Sequence, residues 1–365
     1  DEVLDRARAA IRESWRETCH LNRNHPQAAE IFNPEKLPAF HDPFAGGGAL
    51  PLEAKRLGLS SYASDLNPVA VLINKGMIEI PTNCLNRAPC GPLDSNFKQQ
   101  DLMEAWQGTQ GLAEDIKRYG AWVGTKAEAK LRDYYPKYNV EAYGELDIFA
   151  WIWARTTSCQ NPACGYEVPL LKSMQLTKKK GREVFLRPKL DTARKTIDFE
   201  ISKDKTCESK GNVKRRNAEC FACGHIMPLK SLEKRGGEEK FGEQLVAIVV
   251  STKKGKKFFQ ANEENVEVAS RCPETLPPTC QIDHWRSCTN CVVYGFDRFE
   301  KLFTKRQMLS LTTYSGLIAE VYKKILSDSD NEEYAKLICL YISFAVSRLA
   351  DLNSSFATWI NDLEA

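Results

Sequence analysis

Two pairs of cysteines have the spacing of metal-ligating knuckles. Cys159 and Cys164 form a C-x4-C pair, Cys220 and Cys223 form a C-x2-C pair, and a glycine follows each pair. Zinc takes four soft ligands in a tetrahedron, and two tight turns that each supply two thiolates provide that set. The spacing therefore predicts one Zn2+ ion held by all four thiolates. Because such a site leaves no open coordination position, its predicted role is structural rather than catalytic.

The remaining cysteines are less regular. The chain contains thirteen cysteines, and without a secretion-signal pattern, pairs at short spacing favour metal binding over disulfides. A second group falls within twenty residues and has a histidine nearby: Cys272, Cys280, Cys288, Cys291 and His284. Two interpretations stay open for this group, a second zinc site or reduced surface cysteines.

A glycine-rich turn follows a short apolar run that ends at Asp42. Gly46 and Gly48 lie in this turn, and residues 49–57 have a helical pattern. Glycine permits positive φ and a close approach of a ligand to the backbone, and free amides at a helix start favour a polar or negative group. The order of strand, glycine turn and helix predicts a cofactor site, with an ordinary strand-to-helix turn as the alternative.

An acidic residue follows at the spacing that nucleotide-type folds use. Asp65 comes after a second predicted strand, residues 59–64, and lies seventeen residues beyond Gly48. In such folds a carboxylate about 20 residues past the glycine turn accepts hydrogen bonds from ribose hydroxyls. Pro51 stands where a dinucleotide fingerprint has its third glycine, which disfavours a dehydrogenase. Asp65 could instead be a helix N-cap, a position where Asp and Asn are common.

The residues from Asp42 to Gly48 resemble a known cofactor motif. Their pattern, D-P-F-x-G-x-G, is similar to that of S-adenosylmethionine-dependent DNA amino-methyltransferases, and residues 40–81 resemble prokaryotic adenine-specific DNA methylases with an inserted zinc ribbon. The resemblance implies a Rossmann-like class I methyltransferase fold, S-adenosylmethionine as cofactor and DNA as partner. It implies that the glycine turn lies along the methionine part of the cofactor and that an acidic residue holds the ribose. The implied cofactor residues are Asp42, Phe44, Gly46, Gly48, Asp65 and Asn67.

A catalytic motif of these enzymes is missing. They hold the target amine with Asp, Asn or Ser followed by Pro-Pro and an aromatic residue that stacks on the extruded base. The chain has no such tetrapeptide, since Pro277-Pro278 is flanked by Leu276 and Thr279. The catalytic residues are therefore unassigned, and we expect the chain to be part of a longer polypeptide.

Three hypotheses for the function follow, in order of preference. The first is a partial adenine-specific DNA methyltransferase. The second is a zinc-ribbon nucleic-acid-binding accessory module with an inactive methylase core, which would bind the cofactor without transferring its methyl group. The third is a methyltransferase acting on protein or a small molecule, for which a basic zinc insertion has no obvious use.

The elements that must position these residues predict an α/β fold. Residues 1–157 are expected to form the cofactor-binding segment, residues 158–294 an inserted β-rich zinc-ribbon region, and residues 295–365 a helical segment that packs on the core. Apolar periodicity and short apolar runs predict helices at 1–20, 49–57, 69–80, 111–135, 308–325 and 334–352, and strands at 148–155, 183–187 and 196–201.

Charge and hydropathy limit which binding partners and which cellular compartment are expected. The net charge of +3 does not by itself indicate nucleic acid, but basic residues gather at 178–182, 214–216 and 253–257. Such clusters suit phosphate contacts, with solvated hairpin tips as the alternative. No apolar run approaches the ~20 residues that span a bilayer, so we expect a cytoplasmic protein with no membrane partner. The oligomeric state is not predicted.

Overall fold

The structure, a computed structural model, describes residues 2–93, 106–140, 143–238, 241–275, 279–283 and 291–361. It confirms a mixed α/β chain. The helices are α1 (Glu2–Leu21), α2 (Ala28–Ile31), α3 (Ala49–Arg56), α4 (Pro68–Asn74), α5 (Ile80–Asn83), α6 (Gln110–Leu131), α7 (Leu229–Glu238), α8 (Glu263–Ser270), α9 (Lys305–Ser329) and α10 (Glu332–Leu352). The strands are β1 (Phe40–Asp42), β2 (Ser61–Ala63), β3 (Tyr138–Val140), β4 (Gly144–Leu146), β5 (Ile148–Ser158), β6 (Glu167–Leu170), β7 (Gln175–Thr177), β8 (Val184–Asp191), β9 (Thr196–Ser202), β10 (Asn217–Glu219), β11 (Ile226–Pro228), β12 (Gly242–Thr252) and β13 (Gly255–Gln260).

The chain divides into two compact units. The first unit is Asp1–Thr125 with Gly316–Ala345, and the second unit is Lys126–Ser315 with Val346–Ala365. The three-segment division expected from the sequence stays a prediction. Among the described residues, none of the helices combines the length and the apolar character that crossing a bilayer requires.

The first unit contains a small parallel sheet formed by β1 and β2. Asp42 pairs with Ala63 at the carboxyl ends of the two strands, and α3 connects them. Because parallel strands end at the same edge of a sheet, the residues after Asp42 and those after Ala63 come together there. The predicted order of strand, glycine turn, helix and strand is confirmed.

The helix predicted over residues 69–80 is interrupted. Between α4 and α5 the backbone forms one π-helical turn, Lys75–Glu79, a feature that often occurs at functional sites. Tyr341 of α10 donates its hydroxyl to Gly76 O at 2.7 Å, and a Cβ on Gly76 would lie 3.2 Å from the Phe344 ring. The glycine therefore lets α10 pack closely against the backbone of this turn.

A buried carboxylate fixes α6 to its neighbours in the first unit. Asp115 is fully buried and accepts hydrogen bonds from Cys90 N at 2.9 Å, Gly91 N at 2.6 Å and the Tyr334 hydroxyl at 2.7 Å. A buried carboxylate is tolerated only when donors compensate its lost hydration. These three donors thus tie α10 and the segment before α6 to one side chain.

The sheets of the second unit are antiparallel. β13, β12, β5 and β6 form a four-stranded sheet in that order, β7, β8 and β9 form a three-stranded sheet, and β10 pairs with β11. Val246–Val250 of β12 are at most 1% exposed, as expected of a short apolar run in a core strand. The strands predicted at 148–155, 183–187 and 196–201 are confirmed. β5 continues to Ser158 and so leads directly into the first cysteine pair.

Candidate metal centre and glycine-turn site

Each predicted cysteine pair lies in the turn of a β-hairpin. The first pair connects β5 to β6, and the second connects β10 to β11. The first cysteine of each turn donates its backbone N–H across the hairpin, Cys159 N to Tyr166 O at 2.8 Å and Cys220 N to His225 O at 2.9 Å. The two knuckles therefore share one backbone arrangement although their cysteine spacings differ.

The glycine after each pair has a conformational role. Gly165 and Gly224 both adopt φ of +70°, the left-handed region in which a side chain costs about 1–2 kcal/mol. This conformation turns the chain back toward the second strand of each hairpin. The glycine that follows each cysteine pair in the sequence therefore permits the turn of its knuckle.

The four thiols converge on one point. The sulfur atoms of Cys159, Cys164, Cys220 and Cys223 all lie within 4.8 Å of one another, with 3.7 Å between Cys159 and Cys223 and 3.9 Å between Cys164 and Cys220. A tetrahedron of thiolates with Zn–S bonds of about 2.3 Å has S–S edges of about 3.8 Å. The cluster fits a four-coordinate metal ion, and zinc is compatible with it. Within the described ranges, no other group of three or more potential ligands converges in this way.

The thiols differ in how easily they ionise. Cys159 and Cys220 are buried, whereas Cys223 is exposed. Burial raises the pKa of Cys159 to about 12 and also raises the pKa of Cys220, while a hydrogen bond from the backbone of His225 lowers the pKa of Cys223 to about 7. Buried thiols become thiolates when a cation compensates the cost of burying their charge. This environment is therefore consistent with a metal site.

The second cysteine group is described only in part. Cys288 and His284 lie outside the described residues. Cys272 is buried and its thiol donates to Val268 O at 3.7 Å, whereas Cys280 is exposed and Cys291 is half-buried. A second zinc site stays a prediction.

The Asp65 carboxylate faces the glycine turn. Its Oδ2 accepts from Gly46 N at 2.8 Å, and its Oδ1 accepts from Asn67 N at 2.8 Å. Beside this contact, Ala45 N donates to Ser64 O at 3.0 Å. These bonds fix the end of β2 against the turn that follows β1. The Gly46 amide is thus bound by Asp65 rather than free for a ligand.

Asn67, rather than Asp65, caps α4. Asn67 Oδ1 accepts from Val69 N at 3.0 Å, and Pro68 opens the helix. The alternative interpretation of Asp65 as the helix N-cap is therefore wrong. Backbone hydrogen bonds from Asn67 and Gly46 lower the pKa of Asp65, so this side chain is a carboxylate at neutral pH.

Asn74 is part of the turn, although sequence reasoning missed it. Its Nδ2 donates to Gly46 O at 3.0 Å and to Ala70 O at 2.9 Å, which ties α4 to the turn. Gly48 has φ of +80°, and a Cβ on it would lie 2.5 Å from Asn74 Oδ1. The position of Gly48 therefore requires glycine. The available sequence signal was a polar residue at the end of the apolar run 69–73.

Two buried oxygen atoms line a cavity between β2 and α4. In the described part of the chain, neither Asn74 Oδ1 nor Ser61 Oγ has a hydrogen-bond partner. Both residues line a cavity of about 150 Å3 together with Ser64 and Lys75. A polar cavity with such acceptors suits bound water.

The predicted cofactor residues lie on two adjacent loops. Asp42, Phe44, Gly46 and Gly48 belong to the end of β1 and the turn after it, and Asp65 and Asn67 follow β2. Phe44 is 80% exposed and Leu66 is 94% exposed. This edge of the sheet therefore presents carboxylates beside uncovered apolar side chains.

Comparison of the chain with protein-family models, with curated proteins and with solved structures found no match. The function is accordingly inferred from the residues and their geometry.

Proposed function

We propose that this chain is the cofactor-binding part of an adenine-specific, S-adenosylmethionine-dependent DNA methyltransferase with a Rossmann-like class I fold and an inserted zinc ribbon. The observation that carries the proposal is the contact of Asp65 Oδ2 with Gly46 N at 2.8 Å. It joins a carboxylate after the second parallel strand to a glycine turn after the first. Such an edge is where open α/β sheets bind nucleotide-type ligands.

Asp65 retains the capacity to hold a ribose. An ionised carboxylate offers about four acceptor positions, and the amides of Gly46 and Asn67 use one on each oxygen. The remaining positions suit ribose hydroxyls. When bound, S-adenosylmethionine supplies a methyl group on a cationic sulfonium. We assign Phe44 and the glycine turn to its methionine part, and the nearby Asp42 carboxylate favours its positive charge.

The four-cysteine cluster is assigned to structural zinc. The two knuckles lie at the ends of separate hairpins, and one ion bound to all four sulfur atoms cross-links them. Four protein ligands complete the tetrahedron, so the ion has no open position for water or substrate. Its proposed role is to hold the two knuckle hairpins together, and residues 214–216, one of the three basic clusters, directly precede the second of these hairpins.

The experiment that tests the proposal is a calorimetric titration of the chain with S-adenosylmethionine. We expect the parent chain to bind. Asp65→Asn retains an oxygen that can accept from Gly46 N but loses the charge that strengthens hydrogen bonds from ribose hydroxyls. We therefore expect its affinity to fall by about 10- to 100-fold.

The matched control is Asp204→Asn. Asp204 belongs to the second unit, accepts from Thr206 N at 2.9 Å, and has a pKa lowered by backbone and side-chain hydrogen bonds from Thr206. This variant should bind as the parent does. Unchanged affinity of Asp65→Asn would remove Asp65 from the cofactor site, and no binding by a folded parent chain would overturn the proposal.

A second candidate function is a nucleic-acid-binding accessory module with an inactive methylase core. The observation in its favour is that the printed sequence contains no D/N/S-P-P-aromatic tetrapeptide. Because the first proposal assigns the catalytic motif to residues outside this chain, the distinguishing test is transfer of a radiolabelled methyl group to adenine-containing DNA by the chain within its longer polypeptide. Transfer supports the methyltransferase, and cofactor and DNA binding without transfer supports the accessory module.

A further inference from the structure

Two basic turns of the second unit lie together in space. Residues 178–182 and residues 253–257 each contain four basic side chains and no acidic one. Arg182 Nη1 donates to Lys254 O at 3.1 Å, and a Cβ on Gly255 would lie 2.9 Å from the same nitrogen atom. Segments some seventy residues apart therefore form one basic surface, which we call the lysine face.

Four cations of this surface are exposed, and the carboxylate that follows the first turn in sequence pairs with a lysine outside the surface. Glu183, which directly follows the first turn, forms an ion pair with Lys205 at 3.3 Å. Lys180, Arg182, Lys253 and Lys254 are all exposed. Positive charge concentrated in this way raises the local concentration of an anionic partner and speeds its association.

Aromatic rings border the lysine face. Phe149 is 49% exposed, and Lys256 Nζ lies 3.6 Å from the centre of its ring. Tyr143 is 43% exposed, and Lys257 Nζ lies 3.9 Å from its ring centre and 2.7 Å from its hydroxyl oxygen. Each exposed ring thus has a lysine ammonium against it.

The ring of Phe149 packs against a second aromatic side chain. Trp359 makes a T-shaped contact with it at 6.5 Å between ring centres, and Trp359 Nε1 donates to Leu176 O at 2.7 Å. An aromatic side chain that is held by such a contact and stays half exposed is a rigid platform. Such platforms stack bases at little cost in conformational entropy.

A single strand of nucleic acid matches both properties of this surface. Its phosphates pair with ammonium groups, and its unpaired bases stack on aromatic rings. A duplex offers the phosphates but keeps its bases stacked inside. An acidic peptide offers carboxylates but no flat base for the rings.

We propose that the lysine face, together with Phe149 and Tyr143, binds single-stranded DNA. The choice of DNA over RNA rests on the proposed function, and the rest of the inference does not. In an enzyme that extrudes its target base, such a surface would hold the strand that leaves the duplex. The exposed Lys253 and Lys254 then contact phosphates. Lys256 and Lys257 move from the two rings to further phosphates, and bases stack where the ammonium groups were.

The test is a fluorescence-anisotropy titration of the full chain with a labelled fifteen-residue oligothymidylate, without S-adenosylmethionine. We expect the affinity for the oligothymidylate to fall as the salt concentration rises. The affinity for duplex DNA of equal length should be at least about ten-fold lower. Lys253→Ala/Lys254→Ala removes two exposed cations and should reduce the slope of log K against log salt by about 1.4, since each phosphate contact on a single strand contributes about 0.7.

The control pair for charge is Lys189→Ala/Lys305→Ala. Both lysines belong to the second unit and are already paired, Lys189 with Glu200 at 3.1 Å and Lys305 with Glu274 at 3.3 Å. This pair removes the same formal charge from sites where a carboxylate already compensates it. We expect affinity and salt slope close to those of the parent.

The rings are tested separately from the charge. Phe149→Leu keeps an apolar side chain against Trp359 but removes the platform, and we expect a loss on the order of ten-fold with an unchanged salt slope. Phe149→Tyr keeps a ring and should retain the parent affinity. Thermal unfolding of each variant shows whether it remains folded.

Three results would overturn the proposal. Equal or tighter binding of the duplex would show that unpaired bases are not recognised. If Phe149→Leu and Lys253→Ala/Lys254→Ala bound the oligonucleotide as tightly as the parent does, the DNA would bind at another surface. Preference for oligouridylate over oligothymidylate would assign the surface to RNA. Because no cofactor is present, failure here leaves the S-adenosylmethionine titration unaffected.

Discussion

The glycine turn of the first unit and the cysteine centre of the second unit hold their polar groups in different ways. At the glycine turn, Asp65 and Asn74 bind the backbone of Gly46 from two sides. At the cysteine centre, the thiols lie 3.7 and 3.9 Å from one another, and a cation must compensate them once they ionise. The comparison teaches that the turn is built from internal hydrogen bonds, whereas the two hairpins bring together four thiols that are close enough to bind a metal ion.

The largest effect is expected from Cys220→Ser at the cysteine centre. Structural zinc binds with an apparent free energy of about 10–16 kcal/mol, and Cys220 is a buried thiol of the four-cysteine cluster. We expect the variant to lose stoichiometric zinc and the second unit to unfold at least about 10 °C lower. Metal analysis and thermal unfolding measure the two results.

Cys207→Ser is the matched control for this change. Cys207 lies in the same unit, outside the cluster, with its thiol 3.5 Å from Ser202 Oγ. This variant should retain zinc, and its free energy of unfolding should fall by at most about 1 kcal/mol. If Cys220→Ser kept both one zinc per chain and the parent stability, the proposed dependence on the ion would be wrong.

A smaller loss of stability is expected from Gly48→Ala in the glycine turn. The new Cβ meets Asn74 Oδ1 at 2.5 Å in a backbone with φ of +80°, and the steric and conformational strain together cost about 2–5 kcal/mol of unfolding free energy. Gly47→Ala is the control, because a Cβ there meets no atom within 4 Å. Urea unfolding compares the two, and equal stability of both variants would contradict the described turn.

A double-mutant cycle sharpens this result. Asn74→Ala alone removes the bonds to Gly46 O and Ala70 O and should cost about 1–3 kcal/mol. In the double variant with Gly48→Ala, the smaller side chain leaves room for the new methyl group, so only the φ strain persists. We expect a favourable coupling free energy of about 1–2 kcal/mol. Strict additivity would show that the two residues do not meet.

The smallest effect is the acid dependence of the Asp65 contacts. Hydrogen bonds from Asn67 and Gly46 lower the pKa of Asp65 in the folded chain. The ionised side chain therefore stabilises the fold above the unfolded pKa of about 3.9. This stabilisation is lost as pH falls through the lower pKa of the folded chain. Asp65→Asn should therefore be less stable than the parent at neutral pH, and the difference should shrink below about pH 4. A difference that stays constant with pH would contradict this linkage.

Local patterns in the sequence predicted much of the fold. Residues 40–63 form the expected strand, turn, helix and strand, and the regular spacing of apolar residues after Gly111 gives the long helix α6. Such patterns succeed because backbone conformation depends largely on neighbouring residues. The helix over 69–80 was predicted without its π turn, since that turn contacts Tyr341, far along the chain.

By itself, the sequence predicted the four-cysteine set, the glycine turn after the first strand and the carboxylate that follows the second strand. The tertiary structure decided that Asn74 supports the turn, that Asn67 rather than Asp65 caps α4, and that Arg182 joins two basic turns into one surface. The reason is physical: spacing fixes the conformation of a few consecutive residues, whereas contacts between distant side chains arise only when sheets and helices pack.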